Sequence, residues 1–121
     1  VDLEPENLKQ VKSSMATAVD DIFTNIVNYA GQGSQEIVHV TIRAEIQAYP
    51  YQLVVHFIDN GHPYDPTAVA APNTDLDFRE RCCGGLGIFL VKKLTDQMSY
   101  RYTEGCNILR LAKKLEKAEK N

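Results

Sequence analysis

The chain has 121 residues, of which 44% are hydrophobic and 24% charged, proportions typical of one folded globular domain and not of a disordered chain. Its 13 Lys and Arg against 16 Asp and Glu give a net charge of −3, which argues against a protein that coats nucleic acid, since such proteins are basic. No apolar run reaches the ~18 residues of a membrane-spanning helix, and the 3 cysteines are too few for a disulfide framework. We therefore expect a cytoplasmic protein with reduced thiols.

The first half of the chain predicts one long helix followed by a hairpin. Apolar residues recur every three or four positions across residues 6–30, which predicts an amphipathic helix. Residues 36–46 alternate between apolar and polar, which predicts a half-buried strand. Its predicted inner side carries Val38, Val40, Ile42, Ala44 and Ile46. Residues 52–58 are apolar on both faces and predict a second strand that pairs with the first.

The second half predicts a long loop, a shorter helix and two more strands. Residues 59–81 hold prolines and little periodicity, and a loop of this length in a small domain is usually functional. A helix is predicted over residues 88–96, and strands over 98–103 and 106–111, joined at Glu104 and Gly105. This order predicts an α+β two-layer sandwich, with the helices on one face of a mixed, mostly antiparallel sheet.

Three polar side chains share one face of the long helix. Asp21, Asn25 and Asn28 are spaced four and three residues apart, so they lie beside one another. They form either an ordinary solvent-facing edge or a polar wall of a cleft. In the second interpretation the Asp21 carboxylate accepts a proton from an attacking hydroxyl. The Asn25 amide oxygen is then a neutral ligand suited to Mg²⁺.

A turn motif, Asp59-Asn60-Gly61, follows the second predicted strand. The Asn-Gly pair by itself predicts a plain turn. Alternatively, the Asp59 carboxylate, which only accepts hydrogen bonds, suits an exocyclic amino group such as that of adenine. Gly61 would then let the backbone approach the ring closely.

A glycine cluster, Gly84-Gly85-Leu86-Gly87, precedes the second helix. It forms either a flexible linker or a phosphate-binding loop, because glycines before a helix N-terminus let backbone N–H groups converge on an anion. It is not a Walker A loop, since no Lys-Ser/Thr follows, and it lacks the glycine spacing of a dinucleotide-binding motif.

In this order the three motifs resemble those of the ATP-binding fold shared by gyrases, Hsp90-type chaperones, histidine kinases and mismatch-repair ATPases. Within that superfamily the chain most resembles the anti-sigma-factor serine/threonine kinases. Residues 18–30, 59–66 and 84–94 carry the resemblance, and residues 107–111 fit that family's last strand. The resemblance implies a single histidine-kinase-like ATP-binding domain over residues 1–121, lacking the family's first strand and helix.

The resemblance also implies an ATP-dependent serine/threonine protein kinase that uses Mg²⁺. Asn25 would hold the metal ion, and Asp21 would be the catalytic carboxylate. Nucleotide contacts are implied for Asn25, Asn28, Asp59, Gly61, Gly85, Leu86, Gly87 and Ile88. The family usually has Glu where this chain has Asp21, so the carboxylate is set back by about one C–C bond.

The partners that the resemblance implies are proteins. The phosphate acceptor would be an anti-anti-sigma (STAS-type) protein, and the regulated partner a sigma factor. A homodimer is compatible with the family, whereas direct nucleic-acid or membrane binding is not expected. Two alternatives stay open: a non-catalytic nucleotide-binding module that acts by partner capture, and the detached catalytic domain of a sensor histidine kinase.

Overall fold

A computed structural model describes residues 7–29, 37–68 and 86–116, with residues 86 and 87 described by their backbone alone. These ranges form α1 (Leu8–Tyr29), β1 (Val40–Gln47), β2 (Gln52–Asp59), a 3₁₀ turn (Pro66–Ala68), α2 (Leu86–Leu94), β3 (Gln97–Thr103) and β4 (Cys106–Lys114). Apart from the short 3₁₀ turn, this is the predicted order of elements, and the predicted α+β architecture is confirmed. Neither α-helix of the described ranges combines the length and the apolarity needed to cross a membrane.

The four described strands form one sheet in the order β1-β2-β4-β3. Every pairing between them is antiparallel. Strands β2 and β4 are therefore central, and their register places Asp59 directly opposite Asn107. Because directly opposed residues point to the same face of a sheet, these two polar side chains meet at one end of it.

The hydrophobic core lies between the two helices and one face of β2 and β4. Its buried members are Val11, Met15, Ala18, Ile22, Val55, Phe57, Ile88, Val91, Leu109, Leu111 and Leu115. Burying a large apolar side chain contributes about 1.5–3 kcal/mol relative to leaving it exposed. This packing fixes the rotation of α1, and therefore the direction in which its polar residues point.

Strand β1 is less buried than its sequence predicts. Ile42 is 43% exposed and Ile46 66% exposed, although both belong to the apolar side of the alternation. The prediction of a half-buried strand is wrong because β1 lies at the edge of the sheet. The helices pack over β2 and β4 instead, and β1 contributes nothing to the buried core.

The turn between β3 and β4 explains the glycine within it. Glu104 and Gly105 both have positive φ, at 52° and 78°, as in the two-residue turns that best match the twist of a hairpin. A Cβ atom added at Gly105 would meet nothing within 4 Å. Backbone conformation alone, and not lack of space, therefore favours glycine at this position.

A pair of side-chain hydrogen bonds joins the start of α1 to the end of β4. The Asn7 amide nitrogen donates to the Lys114 carbonyl at 3.0 Å, and the Glu116 N–H donates to Asn7 Oδ1 at 2.9 Å. The Asn7 carbonyl accepts the first helical hydrogen bond, from the Val11 N–H at 2.9 Å. One side chain thus connects the two layers of the fold at this end.

Candidate functional site

A pocket lies between the C-terminal half of α1, the loop that follows β2, and the adjacent end of the sheet. Its described lining residues are Ile22, Asn25, Ile26, Tyr29, Asp59, His62, Tyr64, Pro66, Tyr100, Asn107 and Leu109. The cavity has a volume of about 30 Å³, which is room for about one or two water molecules. It must widen before a larger ligand can enter.

Asp59 lines this pocket. The residue is 5% exposed, and its Oδ1 accepts hydrogen bonds from the Gly61 N–H and the Asn107 amide nitrogen, both at 2.9 Å. Its Oδ2 accepts no hydrogen bond from the described part of the chain. A carboxylate held through one oxygen offers the other to a hydrogen-bond donor of a ligand.

Asn25 carries an unpaired acceptor in the wall of the same pocket. The residue is 6% exposed, and its Oδ1 is buried with no hydrogen-bond partner among the described residues. The Asn25 side chain lies close enough to the Tyr64 hydroxyl to lower its pKa. An unsatisfied buried acceptor costs about 1–3 kcal/mol, so this oxygen suits a ligand that compensates it.

The chemistry of Asn25 fits a hard cation. A neutral amide oxygen is one of the ligands that Mg²⁺ accepts alongside phosphate oxygens and water. Among the described residues no group of three or more His, Cys, Asp or Glu comes together as a metal site of its own. Any divalent ion here would therefore take most of its ligands from a bound phosphate and from water.

Two tyrosines that the motif analysis did not select line the pocket beside Asn25. The Tyr29 and Tyr64 rings are stacked, with centroids 5.3 Å apart and 11° between their planes. Burial raises the pKa of Tyr64, against a smaller lowering by the Asn25 hydrogen bond. Both tyrosines lie next to predicted motifs in the sequence, which is the signal by which they could have been found.

Asn107 is a further site residue that the sequence reasoning missed. It is 5% exposed, lies in a strand of mostly apolar residues and contacts Asp59 directly. Asn is depleted in strands, so a buried Asn there is a sequence signal of a specific polar role. Tyr100 of β3 donates its hydroxyl to Asn107 and belongs to the same wall.

The other predicted helix residues stand away from the pocket in this conformation. Asp21 lies about one turn before Asn25, is partly buried and does not line the pocket. Burial, and then the neighbouring Asp20 charge, raises the pKa of the Asp21 carboxyl. Asn28 is exposed and does not line the pocket either. Of the three helix residues, α1 brings only Asn25 into the pocket.

The structure describes only some of the residues that were predicted to form the phosphate-binding glycine loop. Gly85 lies outside the described residues, and Leu86 and Gly87 form the start of α2. The Ile88 side chain is 1% exposed and packs in the core, so only its backbone could contact a ligand. Gly61 donates its N–H to Asp59 and thereby helps to orient the carboxylate.

The α+β sandwich, with its pocket at one end of the central strands, is consistent with the fold of histidine-kinase-like ATPase domains. Comparison with known families agrees with this. The family described as histidine kinase-like ATPase domain matches residues 3–113, and the chain belongs to it.

Curated relatives of the chain are protein kinases by name. Serine/threonine-protein kinase BtrW of Bordetella bronchiseptica is 27% identical over 103 residues, which are 84% of this chain and 70% of that kinase. Serine-protein kinase RsbW of Listeria innocua and that of Listeria monocytogenes are each 29% identical over 96 residues. These matches span 76% of this chain but only 59% of the Listeria kinases. The predicted resemblance to serine/threonine kinases of this superfamily is confirmed.

Proposed function

We propose that the chain is an ATP-binding serine/threonine protein kinase domain. The observation that supports this proposal is that Asn25 and Asp59 line the same pocket. In the described part of the chain, Asn25 Oδ1 and Asp59 Oδ2 both lack a hydrogen-bond partner. One group suits a metal-bound phosphate and the other an amino-bearing base, which are the two ends of Mg·ATP. The names of the relatives support the same activity.

In the proposed complex the pocket holds the nucleotide by its base. Asp59 Oδ2 accepts a hydrogen bond from the exocyclic amino group of adenine, and Ile22 and Leu109 provide apolar contacts in the same wall. Asn25 contributes its Oδ1 to Mg²⁺, which neutralises phosphate charge when it is bound. Backbone groups at the start of α2, Leu86 and Gly87 included, favour the phosphates through the helix dipole.

Asp21 is the candidate base in the proposed transfer. As the acceptor hydroxyl oxygen forms a bond to the γ-phosphorus, the bond to the bridging oxygen breaks and its electron pair stays on ADP. The hydroxyl proton goes to the Asp21 carboxylate. Its raised pKa suits that role, because a base is most effective when its pKa approaches the working pH. The acceptor we propose is a Ser or Thr of an anti-anti-sigma protein, with a sigma factor as the regulated partner in the cytoplasm.

One observation favours a second function, a nucleotide-binding module that acts by partner capture alone. Asp21 does not line the pocket, and a carboxylate misplaced by about 1 Å can lose on the order of 10²-fold in rate. Asp21→Glu distinguishes the two functions. An active parent chain supports the kinase, whereas activity that appears only in the Asp21→Glu variant supports the capture module.

Calorimetry with ATP, with and without Mg²⁺, tests nucleotide binding separately from phosphoryl transfer. Asp59→Asn should weaken ATP binding by about tenfold or more, because hydrogen bonds to charged groups are worth about 1.5–3 kcal/mol. Asn25→Ala should remove the gain in affinity that Mg²⁺ gives. Thr24→Ala, an exposed neighbour on α1, is the matched control. Failure of the parent chain to bind ATP under either condition would contradict the proposal.

A further inference from the structure

The face of the sheet that points away from the helices carries a row of mostly basic side chains. The strand register places one residue of each strand directly opposite the next, and these residues are Arg43, His56, Arg110 and Ser99. Phe57, next to His56 on β2, packs in the core, and successive side chains of a strand alternate between faces. This cross-strand row therefore lies on the side of the sheet opposite the helices.

A pocket of about 410 Å³ lies beside the cross-strand row. Its described lining residues are His56, Ser99, Tyr100, Arg101, Ile108 and Arg110. Arg101 lies directly opposite Ile108, which makes it a diagonal neighbour of Arg110. Diagonal neighbours are about 7–8 Å apart, within reach of long side chains. Two guanidinium groups therefore border one pocket.

The arginines of this face have no acidic partner in the described part of the chain. Arg43 and Arg101 make no hydrogen bond or ion pair there, and Arg110 donates one hydrogen bond, to Gln97 Oε1 at 3.3 Å. Of the described charged groups that act on the imidazole of the row, only Glu45 is acidic. Because like charges opposite one another destabilise a sheet, an anion bound among these arginines would remove that cost.

The imidazole of His56 responds to any charge that binds beside it. Its Nδ1 is buried and has no hydrogen-bond partner among the described residues. Burial of this ring, and then the charge of Arg110, lower its pKa. Glu45 of β1 opposes this effect, while Arg43 of β1 and Arg101 of β3 add to it. A bound anion would act as Glu45 does and raise the His56 pKa.

We propose that this pocket binds a doubly charged tetrahedral oxyanion, either free phosphate or a phosphate monoester, between the guanidinium groups of Arg101 and Arg110. A guanidinium group matches phosphate oxygens with two parallel hydrogen bonds. Asp59 follows Phe57 by two residues on β2 and so shares its face of the sheet. The oxyanion site is therefore separate from the pocket that Asp59 lines and does not depend on the proposed function.

The test uses sulfate, because it keeps two charges across the range in which phosphate monoesters change charge, about pH 6. NMR follows the imidazole signals of the 3 histidines, and His56→Gln assigns the signal of His56. We expect sulfate to raise the His56 pKa above its value in NaCl of equal ionic strength, which controls for screening of the arginines. The signals of His39 and His62 should be the same in both salts.

Variants that remove one charge locate the ion. Arg101→Gln and Arg110→Gln should each weaken sulfate binding by about tenfold or more, because each removes charge-assisted hydrogen bonds. Arg110→Lys keeps the charge but not the planar fork, so its loss should be smaller. Lys12→Gln, at an exposed position on α1, also removes one positive charge and should keep the parent affinity. Arg101 is exposed, so Arg101→Gln remains a test if Arg110→Gln does not fold.

Titration calorimetry with phosphate and with glycerol phosphate at pH 8 identifies the source of the ion, since the one that binds more tightly is the class that the pocket takes. The proposal is overturned if neither binds. It is also overturned if sulfate raises the His56 pKa no more than NaCl does, or if Lys12→Gln loses as much affinity as Arg101→Gln.

Discussion

The rings of Tyr29 and Tyr64 lie nearly parallel, 5.3 Å apart between centroids, and join the end of α1 to the loop after β2. They line a cavity of about 30 Å³, too small for a purine. A purine therefore requires this cavity to widen.

Tyr64→Phe tests the effect of the Tyr64 hydroxyl separately from that of its stacked ring. The variant keeps the ring but removes the hydroxyl that interacts with the Asn25 side chain, whose Oδ1 has no hydrogen-bond partner among the described residues. We expect ATP affinity in Mg²⁺ to fall by about three- to tenfold, as for one lost hydrogen bond, with little change in EDTA. Titration calorimetry measures both, and Tyr102→Phe, at a tyrosine 46% exposed, is the control. An equal loss in both conditions would show that the hydroxyl does not act through the metal site.

Asp21→Asn should stabilise the fold while removing phosphoryl transfer. Burial, and then the Asp20 charge, raises the pKa of this carboxyl above 3.8, so the folded state binds its proton more tightly than the unfolded chain does. The protonated carboxyl therefore favours the folded state. This contribution to stability is present below pH 3.8 and is lost as pH rises through the raised pKa, where the carboxyl ionises. We expect a higher melting temperature than the parent at pH 7, and a difference that disappears near pH 3.5.

Asp20→Asn provides the comparison for this prediction. This variant removes only the Asp20 charge, the smaller of the two causes that raise the Asp21 pKa. It should therefore stabilise the fold at pH 7 by less than Asp21→Asn does. A melting temperature of Asp21→Asn below that of the parent at pH 7 would contradict the prediction.

The lowered pKa of His56 predicts that the fold loses stability in mild acid. Burial, followed by the Arg110 charge, lowers the pKa of this imidazole below 6.5. Its Nδ1 is buried and has no hydrogen-bond partner in the part of the chain that the structure describes. The folded state therefore resists the proton that the unfolded chain takes up, and stability present above pH 6.5 is lost as pH falls toward the lowered pKa. His56→Leu should show a smaller fall in urea-unfolding free energy between pH 7.5 and pH 5.

Arg110→Gln tests the charge part of this effect. Removing the neighbouring guanidinium should bring the His56 pKa nearer to 6.5 and reduce the acid sensitivity, though by less than His56→Leu does. Equal pH slopes in all three proteins would exclude His56 as the cause.

Gly105→Ala should lower stability by about 1–2 kcal/mol, the cost of a left-handed conformation for an L-residue. The open space around this position means that no clash adds to the cost. Urea unfolding measures it, and Glu104→Asn gives the opposite sign, because Asn tolerates the positive φ of 52° better than Glu does. A neutral Gly105→Ala would indicate a different turn.

Local patterns were sufficient to predict the order of the elements and two polar residues of the pocket. The stripe from Leu8 to Ile26 predicts α1, and the same helical spacing places Asn25 next to buried positions. Asp59 is predicted because a carboxylate closes an apolar strand. Both residues line the pocket.

The remaining features depend on relations between distant elements. Asn107 meets Asp59 only through the register of β2 with β4, and Tyr64 reaches Tyr29 across 35 residues of sequence. The exposure of Ile42 depends on the position of β1 at the sheet edge, which alternation within the strand does not encode.

The hydrogen bonds of Asn7 with Lys114 and Glu116 attach the start of α1 to the sheet. The 22 residues of α1 form a rod about 33 Å long, fastened at the end opposite Tyr29. A tilt of about 5° around Asn7 would move the Tyr29 end by about 3 Å. Any movement of α1 about this attachment is therefore largest at the end that lines the pocket.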